Sequence, residues 1–406
     1  MACSRIRFMT REHGRKHPRS FYALEYIAGA NRSRFQELVL SRRVIHFVGG
    51  NVFFRCRAAE HLEQFADILS ESSSINVATS GSLLPQAILM RDVLFDYHTM
   101  LFYYTKRALT DQSDTRRAMA GIIRRCTEAM KCRFLGGLPT ASFDRFIIFY
   151  AFDNTLHRRP YFPSYSWAGW RGAIDVVDCP GMDSDDSDGN DWLRKRTWII
   201  WYKRNPSGVT NLVWDPDANE SFPSRDMKYV GYRERRLFSF GKPDFKHLNT
   251  KRTAPTEDVS FSRAVPAYPL LQFWTLSVYY ALTNVDVFAA TGHLVDRNNT
   301  KCGFVRLDGF EETTFFESKE PFHVILLSES DRNPYSEDID RQSNYRYPEK
   351  AGEWRYYNVL LLEWQGGIAE RRGFGVIFQG AIEGSLPPGP LWTEIFLARM
   401  ILDKDI

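Results

Sequence analysis

The feature that most limits the fold of this chain is a change of period near residue 160. Before it, residues 85–107 carry no internal Gly or Pro. Apolar side chains recur there at helical spacing, at Ile88, Leu89, Val93, Leu94, Tyr97, Leu101 and Tyr104. Ser113-Asp114 reads as the N-cap region of a second helix running to Lys131, with Ala118, Met119, Ile122 and Ile123 on its apolar stripe. Gly136-Gly137-Leu138-Pro139 ends that unit, and residues 142–152 read as a third helix with Phe143, Phe146, Ile147 and Tyr150 on one side. After residue 160 the runs shorten and become β-branched and aromatic: 197–202, 270–280, 302–307, 323–327, 358–364 and 373–378.

The expected fold class is therefore α+β, a helical middle region followed by a mainly antiparallel β sandwich or open barrel. A parallel, doubly wound sheet is the outcome this pattern excludes. Two hairpins are expected from glycines between β-prone runs. Gly49-Gly50-Asn51 separates 44–47 from 52–56, and Gln365-Gly366-Gly367 joins the last two strands. Residues 58–69 look like a short helix. At about 150 residues per domain, 406 residues suggest two or three domains. The reading is a basic arm without regular structure over 1–33, a short hairpin unit over 34–60, a helical region over 61–159 and a mainly β region over 160–406.

Composition excludes several function classes. The chain is 44% hydrophobic and 25% charged with a net charge of +4, too little over this length to imply nucleic acid. The positive excess sits early, at Arg5, Arg7, Arg11, Arg15, Lys16 and Arg19, and shows no amphipathic helical period; it reads as an arm or as an artefact of the assigned start. The six cysteines, Cys3, Cys56, Cys126, Cys132, Cys179 and Cys302, form no Cys-x-x-Cys pair, and no secretory signal opens the chain. A reducing, cytoplasmic location is expected. The most apolar run, 267–282, is broken by Pro269, Gln272, Thr275 and Ser277, so no membrane partner is expected. The aromatic share of 15% reads first as core and second as a surface that stacks sugars or bases.

Motif chemistry is sparse. The acidic run 183–191 has its glycine too late for a calcium loop, and it reads, like 331–352, as a solvated loop. His46, Cys56 and His61 are too widely spaced, and lack the fourth ligand, for a zinc site. Ser164 and Ser166 lack the flanking glycines of a hydrolase elbow. No phosphate-binding or dinucleotide-binding glycine run occurs. No catalytic, cofactor-binding or metal-binding residue follows, and no cofactor is expected.

Several segments, in order, resemble fungal heterokaryon-incompatibility (HET) proteins. Phe35-Gln36-Glu37-Leu38, then Leu40-Ser41-Arg42-Arg43 and the strand that follows, look like the end of the HET domain. Tyr104-x-x-Arg107-x-Leu109-Thr110-x-x-Ser113-Asp114 resembles a later stretch, followed by Ala118 and Gly121-Ile122. Gly137-Leu138-Pro139 resembles the family's short Gly-Leu element. Pro163-Ser164-Tyr165-Ser166-Trp167-Ala168-Gly169-Trp170 is similar to its Pro-Ser-Trp-Ser-Trp-Ala signature. Residues 359–364, with Ala369-Glu370-Arg371 and Gly373, resemble its terminal hairpin.

The resemblance implies a role in fungal non-self recognition and cell-death signalling, with other HET-family proteins or a second copy as partners. The segments that would open the HET domain are not found in residues 1–33, so 34–60 reads as the remnant of a truncated domain, and no catalytic activity is expected. The family-motif residues Gln36, Glu37, Arg107, Ser113, Asp114, Pro163, Ser164, Ser166 and Trp167 are expected to be structural. Trp167 and Trp170, three apart, would pack the helical half on the sheet half. Two alternatives from the residues remain: an enzyme acting on a nucleotide or sugar in a pocket of the β region, and an aromatic-rich carbohydrate-binding module.

Overall fold

The computed structural model describes residues 35–41, 43–48, 51–56, 60–62, 93–107, 109, 111–130, 132–152, 156–159, 162–177, 192, 196–214, 255–257, 259–261, 268–309, 316, 321–330 and 356–398. The basic arm and the loops 183–191 and 331–352 lie outside them. The chain divides into two compact units, Met1–Asp92 and Val93–Ile406.

The first unit holds helix α1 (Phe35–Leu40) and strands β1 (Arg43–Val48), β2 (Asn51–Cys56) and β3 (Glu60–Leu62). β1 and β2 form the expected hairpin, from Arg43 opposite Cys56 to Val48 opposite Asn51. β3 replaces the start of the helix expected over 58–69. Its residues lie opposite Phe53, Phe54 and Arg55 on the second edge of β2. An available ladder outweighs a weak local helical preference.

In the second unit, α2 (Val93–Thr105) buries Leu94, Tyr97, Leu101 and Tyr104 at i, i+3, i+7 and i+10, part of the stripe read from the sequence, whose Ile88 and Leu89 lie outside the described residues. The next helix starts later than expected. Asp111, not Ser113-Asp114, provides the cap: its carboxylate accepts from the Ser113 N–H at 2.8 Å. Two 3-10 turns (Gln112–Thr115 and Arg117–Met119) then lead into α3 (Ala120–Met130). Ile122, Cys126 and Met130 form the buried stripe of α3.

The strands β4 (Phe134–Leu135) and β5 (Leu138–Pro139) turn on Gly136 and Gly137, whose φ values of +61° and +87° favour glycine. The helix expected over 142–152 is a single turn, α4 (Phe143–Phe146), followed by strand β6 (Phe149–Ala151). The run Ile147-Ile148-Phe149 fits either period. Pairing of β6 with β9 (Ile174–Val176) decides for strand. Between them, β7 (His157–Arg158) pairs with β8 (Trp170–Arg171).

The remainder is a large sheet of β10 (Tyr202–Arg204), β11 (Thr210–Leu212), β12 (Leu270–Asp286), β13 (Thr291–Val295), β14 (Lys301–Leu307), β15 (Phe322–Ser330), β16 (Tyr356–Gln365), β17 (Ile368–Phe378) and β18 (Leu391–Ala398). The run expected over 197–202 makes only an isolated bridge, Thr197 to Ser328, before regular pairing begins at Tyr202. The order is β11-β10-β12-β13-β14-β17-β16-β15, and β15 pairs again with β12. The ladder thus returns to β12 and forms a barrel. All these pairings are antiparallel; β18 adds antiparallel to the first half of β12 and meets β17 in parallel at Ala369 and Glu370.

The seventeen residues of β12 let one strand serve several neighbours. Its first half pairs with β10 and β18, and its second half with β15 and β13. A register shift between Thr283 and Asp286, with Asn284 at φ +49°, bends its end onto β13. β17 is buried along its whole length although it carries Glu370, Arg371 and Arg372.

Candidate functional site

The 163–170 segment sits where α2, the β4–β5 turn and the end of the barrel meet. Its polar atoms are bonded inward. Ser164 donates its hydroxyl to the Ala398 carbonyl at the end of β18 and accepts from the Arg371 N–H at 3.1 Å. Ser166 donates to the Gly136 carbonyl and caps the turn by accepting from the Ala168 N–H at 3.0 Å. Trp167 Nε1 donates to the Gly137 carbonyl at 3.1 Å, and Tyr97 of α2 donates to the same oxygen at 2.5 Å. Trp170 Nε1 returns to the Ser164 carbonyl at 2.8 Å. The Trp167 ring meets Tyr104 of α2 edge-on at 5.7 Å. A Cβ on Gly137 would lie 2.6 Å from Trp167 Nε1, so only glycine lets the turn approach the indole. Pro163 is buried, and its carbonyl accepts from the Ser166 N–H at 3.2 Å.

Around this joint lies a set of buried charges that the sequence reading did not find. Arg371 Nε meets Asp308 Oδ2 at 2.6 Å with both side chains closed to solvent. Its other nitrogens donate to the Ile147 and Phe149 carbonyls, and its guanidinium lies 3.6 Å over the Phe149 ring. Arg158 pairs with Glu370 at 2.5 Å, and Arg372 bridges Glu370 and Glu363 at 3.6 and 2.6 Å. Arg159 Nε donates to Gln112 Oε1 at 2.7 Å, and its Nη1 donates to the Trp170 carbonyl. Burial lowers the Arg159 pKa to about 10 and raises that of Asp308 against the pull of Arg371. Such a network is costly to desolvate and costlier to break. The sequence signal that could have found it is the Glu370-Arg371-Arg372 triplet inside an otherwise apolar strand.

The remaining motif residues are spread out. Arg107 follows α2, buried, with its N–H on the Tyr104 carbonyl at 3.1 Å; burial lowers its pKa. Ser113 is exposed and Asp114 half-buried in the first 3-10 turn, where Asp114 meets Arg117 at 3.3 Å. That turn still reaches the joint, because Tyr104 donates to the Thr115 carbonyl at 2.7 Å. Gln36 and Glu37 lie in α1, and their side chains are outside the described residues.

Two histidine clusters have the look of acid–base chemistry. His98 of α2 meets Asp175 of β9 at 2.5 Å, and Tyr150 donates to the other Asp175 oxygen at 3.2 Å. This cluster holds α2 on the β6–β9 pair, and the hydroxyl bonded to it is the phenol of Tyr150. In the barrel wall, His323 lies near-parallel to Tyr279 at 4.8 Å and to Trp364 at 5.6 Å. Trp364 Nε1 donates to His323 Nδ1 at 2.5 Å. An indole N–H only donates, so the imidazole proton sits on Nε2 and points at Ser277 Oγ, 2.7 Å away. His323 therefore donates to Ser277 and cannot take its proton, unlike the base of a serine hydrolase. Burial lowers the His323 pKa to about 4.

No group of three His, Cys, Asp or Glu placed to hold a metal occurs among the described residues. Among the same residues, no helix is long and apolar enough to cross a membrane. Cys126, Cys132 and Cys302 are buried free thiols; burial pushes Cys126 up to about 12 and Cys132 to about 11, far from a reactive thiolate. Comparison with known proteins finds no matching family model, no matching curated protein and no matching solved structure.

Proposed function

We propose that this chain is a non-catalytic protein of the heterokaryon-incompatibility type. It acts in the cytoplasm in fungal non-self recognition and the cell-death signalling tied to it, through other family members or a second copy of itself. One observation supports the reading most. Segments that resemble the family at separate points of the sequence, around Tyr104, Gly137, 163–170 and 369–373, meet at a single joint through Trp167 Nε1 on Gly137 O, the Tyr104–Trp167 contact and Arg371 N–H on Ser164 Oγ. A motif set whose members touch in space behaves as one structural unit. The serines and tryptophans of its signature are bonded to backbone groups, which suits a scaffold.

The test is expression in a fungal strain with and without a full-length HET protein. The expected result is an altered incompatibility response only when the relative is present, with the two proteins co-purifying. Cell killing by this chain alone, or NAD cleavage by the purified chain, would sink the proposal.

A further inference from the structure

The turn between β12 and β13 departs from the chemistry that turns normally follow. Turns favour Gly, Pro, Asn, Asp and Ser, yet residues 287–290 read Val-Phe-Ala-Ala. Phe288 is 93% exposed and Val287 56%. The turn is nonetheless fixed. Asp286 Oδ1 accepts from the Phe288 and Ala289 N–H groups at 2.9 and 3.0 Å, and the Ala290 carbonyl accepts from the Leu307 N–H at 2.7 Å. Ala290 takes a φ of +50°, a left-handed value that glycine would hold with less strain. The tip is thus apolar against the local preference, and it presents Phe288 in a preset position.

A second exposed ring is tied to the base of this turn. Thr291 stands opposite Arg306, whose Nη1 donates to the Ala151 carbonyl at 2.8 Å. Phe152, the next residue, is 43% exposed and meets the Phe102 ring edge-on at 4.8 Å. Lys106 is exposed and lies over both rings, its Nζ 4.1 Å from the Phe102 centroid and 4.9 Å from that of Phe152. The Phe152 N–H donates to the Ala173 carbonyl at 2.9 Å, and Arg171, two residues before Ala173, is exposed. Exposed apolar groups and the exposed cations Lys106 and Arg171 therefore share this side of the second unit. The Asp286 carboxylate is engaged by the turn itself.

We infer that this side of the barrel docks on an anionic lipid surface, with Phe288 and Val287 entering the boundary between headgroups and acyl chains and Lys106 and Arg171 facing the anionic headgroups. Shape and charge favour a bilayer over a protein groove. A stable protein interface buries about 800 Å² on each side in one packed patch. A four-residue tip with a single ring set apart from it does not form such a patch. A lipid surface adapts to separated groups, and binding to it grows with the apolar area inserted and with the cations that face it. The broken apolar run over 267–282 argues against a span, whereas surface contact needs none. The inference is independent of the joint at 163–170 and of the signalling role proposed for the chain.

The test is co-sedimentation of the full chain with vesicles of phosphatidylcholine and phosphatidylserine in equal parts, against vesicles of phosphatidylcholine alone. Binding is expected on the anionic vesicles, and salt should weaken it. Phe288→Asp should reduce it about ten-fold, and the Lys106→Glu/Arg171→Glu pair by about as much. Phe288→Leu, which stays apolar, should keep most of the binding. Val209→Asp, at an exposed apolar residue in the β10–β11 turn, should change nothing. Phe288→Trp places an indole at the tip that brominated acyl chains should quench, beyond any quenching seen in the parent chain. Urea unfolding of each variant confirms that binding is read on folded protein. Absence of binding to the anionic vesicles overturns the inference, as does binding untouched by Phe288→Asp. Self-association that Phe288→Asp abolishes, without vesicle binding, would assign the tip to a second copy of the chain and overturn it equally.

Discussion

The joint at 163–170 and the hydrogen-bond network around Glu394 of β18 use the same ingredients, arginine, carboxylate and hydroxyl, in different settings. At the joint Ser164, Ser166, Trp167, Trp170, Asp308 and Arg371 are closed to water, and the hydroxyls and indoles end on main-chain carbonyls. In the network around Glu394 the carboxylate is half-buried and accepts from Thr256 and Gln272, while Gln272 and Arg204 are buried, and side-chain and main-chain partners are mixed. Closure turns such a set into a fastener whose loss costs folding energy. A carboxylate that keeps contact with solvent loses less when its partners are removed. The difference teaches that composition does not assign a role to these residues; burial does.

If that contrast holds, the largest stability effect belongs to Arg371. Arg371→Leu strands the Asp308 carboxylate without its partner and should cost about 3–5 kcal/mol in urea unfolding, with the Asp308→Leu/Arg371→Leu pair regaining most of it. A cost under about 1 kcal/mol would break the contrast on the buried side.

His323 gives the next effect, and a pH signature. Its pKa falls from an ordinary 6.5 to about 4 on folding, so the unfolded state binds the extra proton between those values. Stability from this group is full above pH 6.5 and falls as the pH drops to about 4, by about 3 kcal/mol over that window. His323→Gln should flatten the profile over the same range, as read by unfolding midpoints across pH.

Much of the fold is legible in the sequence, and the reasons for the gaps are physical. The β-rich runs after residue 160 and the Gly-Gly turns identify themselves, because β-branched side chains and positive-φ glycines act locally. Residues 142–152 mislead, because Phe143, Phe146 and Tyr150 satisfy a helical stripe while Phe149 finds a strand partner at Val176, 27 positions away. At Glu60–Leu62, within the helix expected over 58–69, the same competition decides for a strand against β2. The ion pairs of β17 are illegible because Asp308 and Arg158 are remote in sequence, and a charged triplet in isolation reads as a solvated edge. The Glu394 network is hidden likewise: it gathers β10, β11, β12, β18 and residues 256–257.

Smaller effects sharpen the comparison. Ser164→Ala removes a hydroxyl that ties Ala398 to Arg371 and should cost about 1–2 kcal/mol, since the Arg371 N–H is left buried without its acceptor. Glu394→Gln keeps an amide oxygen as acceptor at a half-buried position and should cost less, about 0.5 kcal/mol. Equal costs for the two would remove the distinction between the two sets.

The central claim is that the 163–170 segment fastens the helical layer of the second unit to its barrel. Amide hydrogen exchange on Trp167→Leu tests it most directly. The account predicts faster exchange in α2, α3 and the β4–β5 turn, with β12, β15, β16 and β17 keeping their protection. Uniformly faster exchange across the barrel, or unchanged exchange in α2 and α3, would contradict it.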